Sequence, residues 1–173
     1  MSKEKTSKVE GTIIGHNDGY GFLRSEDGKD DVYLPPTEML KVMHGDRVIV
    51  KVFTPKNKNK AEGSITEILD RANTELVGRL VIEQGIYLVV PEEKRIKHDI
   101  VIPKDDLNNA EVGQVVLIHL VDPPTKVTPP IGKVIEIIGN IDDPGIETSI
   151  AIRKFKIPYK FSKDVYDQQS LID

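Results

Sequence analysis

The sequence predicts an all-β protein, made of two consecutive five-stranded β-barrels followed by a short C-terminal helix and a tail. Short runs rich in β-branched and aromatic residues, punctuated by Gly, Asp, Asn and Pro, fill about the first four-fifths of the 173 residues. The series is written twice, with landmarks repeating at offsets of 66 to 69 residues. Beyond Gly139 the strand pattern gives way to a helix start.

The first copy reads "VEGTIIGH", "YGFLR", "DVYL", "DRVIVKVF" and "AEGSITEIL". After "DRANT" come "LVGRLVIE", "IYLVV", "DIVIP", "QVVLIHLV" and "GKVIEIIG". Gly11 corresponds to Gly78, Gly19 to Gly85, Leu34-Pro35 to Ile102-Pro103, Gly45 to Gly113, and Gly63 to Gly132. Five short strands in a unit of this size suit a small closed barrel of the oligonucleotide/oligosaccharide-binding (OB) type. The expected boundaries are a flexible N-terminus at 1–8, barrels at 9–70 and 75–140, and a helix with the start of a linker at 141–173.

In strand four of the first copy, Val48, Val50 and Val52 alternate with Arg47, Ile49 and Lys51 and should face inward. Val115 and Leu117 take that place in the second copy, alternating with Val116 and Ile118. That strand is apolar on both faces, so its outer face should pack against a neighbouring element. The link from Asp70 to Thr74 is short enough that the barrels are expected to touch. In the C-terminal segment, Asp143 is the expected N-cap, Pro144 the first helical residue, and Glu147 the first-turn acid facing the positive dipole end. Ile146 and Ile150 share one face, and Ile157-Pro158 should close the helix. The final "SKDVYDQQSLID" reads as a cut end.

Composition narrows the function classes. The chain has no cysteine, so disulfides and thiolate metal sites are excluded. It has no apolar run long enough to cross a bilayer, and "MSKEKTSK" lacks the apolar core of a secretory signal. A cytoplasmic monomer with no membrane partner is expected. The net charge of −4 weighs against a dedicated duplex-DNA binder. Basic residues are nevertheless gathered locally, as Lys56, Lys58 and Lys60 in one run and Lys94, Arg95 and Lys97 in another. The histidines at 16, 44, 98 and 119 lack metal-ligand spacing. Asp142, Asp143 and Glu147 are better explained as a helix start than as a metal site.

"DGYGFLR" carries the functional signal. On a strand, Tyr20, Phe22 and Arg24 project from one face. Leu23, Val32 and Leu34 take the opposite face and fill the interior, which leaves Tyr20, Phe22 and Tyr33 outside. Exposed rings in a row suit stacking of unpaired bases, with Arg24 and Lys51 at the rim for phosphates. The lysine run at 56–60 falls between strands four and five, where such barrels place a nucleic-acid-contacting loop. The second copy has Ile86, Leu88 and Val101 at the aromatic positions, and Tyr87 on the other face. It is expected to offer charge and shape through Lys94, Arg95 and Lys97 instead.

"DGYGFLR" followed by "DDVYLPP" resembles the paired RNA-binding motifs of cold-shock domains. The resemblance implies base stacking on Tyr20, Phe22 and Tyr33, with His16 close to another stacking position. Asp18 stands where that family usually carries lysine. The wider order of barrel, barrel and "DDPGIETSIAIRKFKIPYKF", over residues 9 to 163, resembles the N-terminal region of the ribonuclease R branch of the bacterial ribonuclease II/R family. These are processive hydrolytic 3′-to-5′ exoribonucleases. The resemblance implies single-stranded RNA as ligand and, as intramolecular partner, a catalytic domain of the same parent chain with magnesium on clustered aspartates. Asp164, Asp167 and Asp173 are scattered over the tail, so this chain alone is expected to hold no cofactor and no nuclease activity. Two other readings stay open: a free-standing RNA chaperone, and a protein-docking module that closes over a nuclease channel.

Overall fold

A computed structural model of the chain describes residues 7–26, 31–56 and 60–156. The chain divides between Asn73 and Thr74 into two compact units, each built around one closed barrel.

The first barrel comprises β1 (Ser7–Gly15), β2 (Gly21–Ser25), β3 (Val32–Leu34), β4 (Arg47–Phe53) and β5 (Glu62–Asp70), with a short helix α1 (Pro36–Met39) between β3 and β4. The strands close in the order β1-β2-β3-β5-β4, and only β3 with β5 is a parallel pair. Ile13, Leu23, Val32, Leu34, Val48, Val50 and Ile65 fill the interior, and Met39 and Val42 join that core. Glu38 fixes α1 to the barrel, since its carboxylate accepts the Ile65 N–H at 2.7 Å and pairs with Lys41 at 2.9 Å.

The second barrel comprises β6 (Glu75–Glu83), β7 (Ile86–Pro91), β8 (Ile100–Val101), β9 (Gln114–Asp122) and β10 (Ile131–Asn140), with a 3₁₀ turn at Lys104–Asp106. Its strands close in the same cyclic order, again with one parallel pair, β8 with β10. The repeated glycines have physical causes. A Cβ on Gly11 would collide with the Arg24 carbonyl oxygen, and one on Gly78 with that of Val90. Gly45 and Gly113 enter strand four with φ of +92° and +94°, a conformation that L side chains rarely adopt.

Two expectations need correction. In β9 it is Val116 and Ile118, both fully buried, that match the inward Val48 and Val50. The offset of 68 between Gly45 and Gly113 requires this. Val115 lies on the outer face and is still buried. Helix α2 (Ile146–Lys156) packs on β10 and β6, the strands flanking β9, and covers that face. The helix also starts later than expected. Gly145, with φ +79°, provides the first helical carbonyl, which accepts the Ser149 N–H at 3.1 Å, so Pro144 lies in the preceding turn. Asp143 caps backward, its carboxylate accepting the Asn140 N–H at 2.9 Å. Ile146 and Ile150 form the buried face, and Glu147 stays in the first turn. The expected closure at Ile157-Pro158 and the tail lie outside the described residues.

The segment after β5 is held by the first barrel. Asp46, almost fully buried, accepts the N–H groups of Met43 and Ala72 at 2.9 Å each and meets Arg71 at 3.3 Å. Asn73 donates to the His44 carbonyl at 2.8 Å. Burial pushes the Asp46 carboxyl above its ordinary value against the pull of these donors.

Candidate nucleic-acid interface

The β1–β2 hairpin sets Ile14 opposite Phe22, and β2 in turn sets Phe22 opposite Tyr33. Along β2, Gly21, Leu23 and Ser25 are buried while Phe22 is half-buried and Arg24 exposed. Val32 and Leu34 are likewise buried on either side of a half-buried Tyr33. Phe22, Arg24 and Tyr33 therefore project from the outside of the barrel.

The rings form one patch. Tyr20 lies 5.6 Å from Phe22, edge to face, and 5.8 Å from Tyr33, while Phe22 and Tyr33 are 6.1 Å apart. His16 stacks on Tyr20 with centroids 4.4 Å apart and planes 12° apart. Its Nδ1 accepts the Asp18 N–H at 3.1 Å, which fixes the imidazole from its edge. Edge-to-face and offset contacts are the arrangements that ring quadrupoles favour, so the patch is pre-organised.

The register carries the patch further than sequence reading foresaw. Tyr33 pairs with Glu62 of β5, and Glu62 pairs with Phe53 of β4. Paired residues share a face, so Phe22, Tyr33, Glu62 and Phe53 form one outward row. Phe53 was legible as the next outward position after Lys51 in the alternation of strand four.

The basic residues divide. Lys51 is exposed on the outer face of β4 opposite Ser64, two positions before Phe53. Lys56 and Lys60 are exposed on the β4–β5 loop, whose last residue, Ala61, accepts the Tyr33 N–H at 3.2 Å. That contact places Ala61 beside Tyr33. Lys58 lies outside the described residues. Arg24 is exposed at the other end of β2, opposite Thr12, whose β4 partner Arg47 is held by Glu10 at 2.9 Å and Glu26 at 2.7 Å.

In the second barrel the equivalent positions carry different chemistry. Glu83 pairs with Ile86, Val81 with Leu88, and Leu88 with Val101. Glu83, Ile86, Leu88 and Val101 thus stand where the first barrel has His16, Tyr20, Phe22 and Tyr33. Lys94, Arg95 and Lys97 lie on the β7–β8 connection, which leaves β7 at Pro91. Pro91 is opposite Gly78, at the far end of the hairpin from Ile86. Arg95 is spent on Glu93, with Nε and Nη2 2.8 and 3.1 Å from its carboxylate. Those hydrogen bonds lower the Glu93 pKa to about 2 against the cost of burial. Lys94 and Lys97 are exposed, but Glu92, Glu93 and Asp99 share the segment and offset them.

Among the described residues no group of acids and histidines could hold a metal ion, and no helix is long and apolar enough to cross a membrane.

Residues 11–68 match the family described as the ribonuclease B OB domain, and residues 88–162 match the cold shock domain. The chain is 39% identical over 165 residues to ribonuclease R of Escherichia coli (strain K12), across 95% of this chain and 20% of that protein. The chain is a cold-shock/OB region of the ribonuclease R family. Ribonuclease R of Aquifex aeolicus (strain VF5) is 38% identical over 164 residues, across 95% of this chain and 23% of that protein. The region therefore spans about a fifth of the length of these curated ribonuclease R relatives. Mycoplasma genitalium RNase R, solved in complex with ribose-methylated single-stranded RNA, shares the fold with a TM-score of 0.73 at 21% identity, over 95% of this chain and 27% of that one. Yeast Ssd1, a pseudonuclease, does so with a TM-score of 0.68 at 16% identity, over 87% of this chain and 25% of that one.

Proposed function

We propose that the first barrel binds single-stranded RNA by stacking unpaired bases on His16, Tyr20, Phe22 and Tyr33. One observation carries this reading: four rings joined into one cluster through Tyr20 on the outside of a closed OB barrel. Each stacked base contributes roughly 1–3 kcal/mol without demanding a particular sequence. Phe53 extends the platform, Lys51, Lys56 and Lys60 neutralise phosphates along one edge, Arg24 does so at the other, and Lys58 of the same lysine run adds to the charge. Lys94 and Lys97 of the second barrel add peripheral charge, and Arg95, tied to Glu93, adds least.

In the full-length cytoplasmic protein, such a region would capture unpaired RNA and guide it into the catalytic domain of a hydrolytic 3′-to-5′ exoribonuclease. Magnesium and hydrolysis would belong to that domain, and the OB region would act as a monomeric guide without cofactor.

The chain has no tryptophan, and two of its five tyrosines, Tyr20 and Tyr33, lie in the platform, so the part of the tyrosine fluorescence lost on their replacement reports on it. Titration with an unstructured RNA of about 12 nucleotides should quench it saturably, and Tyr20→Ala/Tyr33→Ala should abolish most of the quenching. Undiminished emission with RNA bound would refute stacking. Absence of RNA binding altogether would favour a protein-docking role for the rings.

A further inference from the structure

The second barrel bears a groove on the face that corresponds to the aromatic platform. It is open to solvent, with a volume of about 700 Å³, and is lined by Glu83, Gln84, Ile86, Leu88, Asp99, Val101 and Pro129. Its floor is aliphatic, and Ile86 is 52% exposed. Its charged lining is acidic. Glu83 replaces the stacking histidine of the first barrel, and Asp99 sits just before β8. Further along the same row, Val101 pairs with Ile131 and Ile131 with Asp122, where the first barrel has Glu62 and Phe53.

This chemistry turns RNA away. Aliphatic side chains provide no flat polarisable face, and carboxylates repel the phosphate backbone. It complements a cation carried on an apolar stem. Ile86, Leu88 and Val101 would gain by being covered, and an ammonium or guanidinium between Glu83 and Asp99 would relieve their mutual repulsion. Burial and the Glu83 charge raise the Asp99 pKa despite nearby Lys97 and His98, so the carboxylates already crowd one another.

We propose that this groove is a docking site for a lysine- or arginine-bearing polypeptide segment with alternating apolar side chains. The two barrels then divide their labour, one face for unpaired RNA and the other for a basic protein segment. The proposal does not depend on the RNA reading of the first barrel.

The test uses the whole chain with labelled Ile, Leu and Val methyl groups, titrated with a blocked peptide of about ten residues alternating lysine and leucine. Saturable methyl shifts are expected at Ile86, Leu88 and Val101, with none from a glutamate–leucine peptide. Glu83→Gln/Asp99→Asn, both at the groove, should weaken binding about fivefold or more while leaving methyl signals of the barrel interior in place. Equal binding by that variant, or no shifts at these methyls, would overturn the proposal. So would larger shifts at the same methyls from a 12-nucleotide RNA. Shifts that grow with protein concentration without peptide would identify a second copy as the occupant and overturn it equally.

Discussion

The two barrels share strand order, a parallel closing pair and glycines at matching turns, yet their corresponding faces differ in kind. The first presents His16, Tyr20, Phe22 and Tyr33 as one cluster of rings centred on Tyr20, and the second presents Glu83, Ile86, Leu88 and Val101. Positions that close the barrel have been kept, because a Cβ at Gly11 or Gly78 would strike the neighbouring backbone. Outward positions carry no such constraint and can be respecified wholesale. A repeat thus transmits its fold more faithfully than its surface chemistry, and function must be assigned to each copy from its own face.

The turn before strand four separates the copies most strongly in stability. Asp46 accepts the Met43 N–H at 2.9 Å, and Gln114, at the matching position, accepts the Glu111 N–H at 2.8 Å. Asp46 is buried and also holds Ala72, whereas the bond to Gln114 is exposed. Asp46→Ala strands two buried donors and should cost about 3 kcal/mol or more, while Gln114→Ala should cost about 1 kcal/mol or less. Urea unfolding of both variants checks this, and equal losses would break the asymmetry.

Transplanting the platform is the next largest effect. Glu83→His/Ile86→Tyr/Leu88→Phe/Val101→Tyr should raise affinity for unstructured RNA about tenfold, as one added stack would. Isothermal titration calorimetry should also detect a second RNA site. An unchanged affinity would mean that the backbone of the second barrel cannot present the rings.

Phe53→Ala sharpens the limits of the first face. Lying at the end of the row, it should weaken RNA binding about threefold to fivefold, less than loss of a central ring. An undetectable change by filter binding would confine the platform to β1, β2 and β3.

The smallest effect concerns Arg95. Arg95→Ala should leave RNA affinity within about twofold and return Glu93 from about 2 toward its ordinary 4.5. The depressed pKa means that the paired carboxylate supports the fold above the ordinary value and loses that support as pH falls toward about 2. Carbon-detected NMR of the carboxylate across this window reads the titration directly.

Much of this was legible in the sequence because both signals are periodic. Alternation places Leu23, Val32 and Leu34 inside and Phe22 and Tyr33 outside without any coordinates. The glycine offsets gave the repeat. What escaped depends on register and on partner choice. Phe53 joins the patch only because Glu62 pairs with both Tyr33 and Phe53. Arg95 reads as an available cation until its geometry on Glu93 is seen. The inward face of β9 is hidden from the alternation because Val115 and Val116 are both buried, one of them beneath α2. Hydrophobicity alone cannot separate two buried faces.

The most direct measurement is fluorescence anisotropy of a labelled unstructured RNA of about 12 nucleotides against Tyr20→Ala/Phe22→Ala and Ile86→Ala/Leu88→Ala, in low and moderate salt. The first variant should lose affinity about tenfold or more, and the second should stay within about twofold of the unmodified chain. Equal losses in the two variants, or a larger loss in the second, would contradict the assignment of RNA binding to the face of the first barrel.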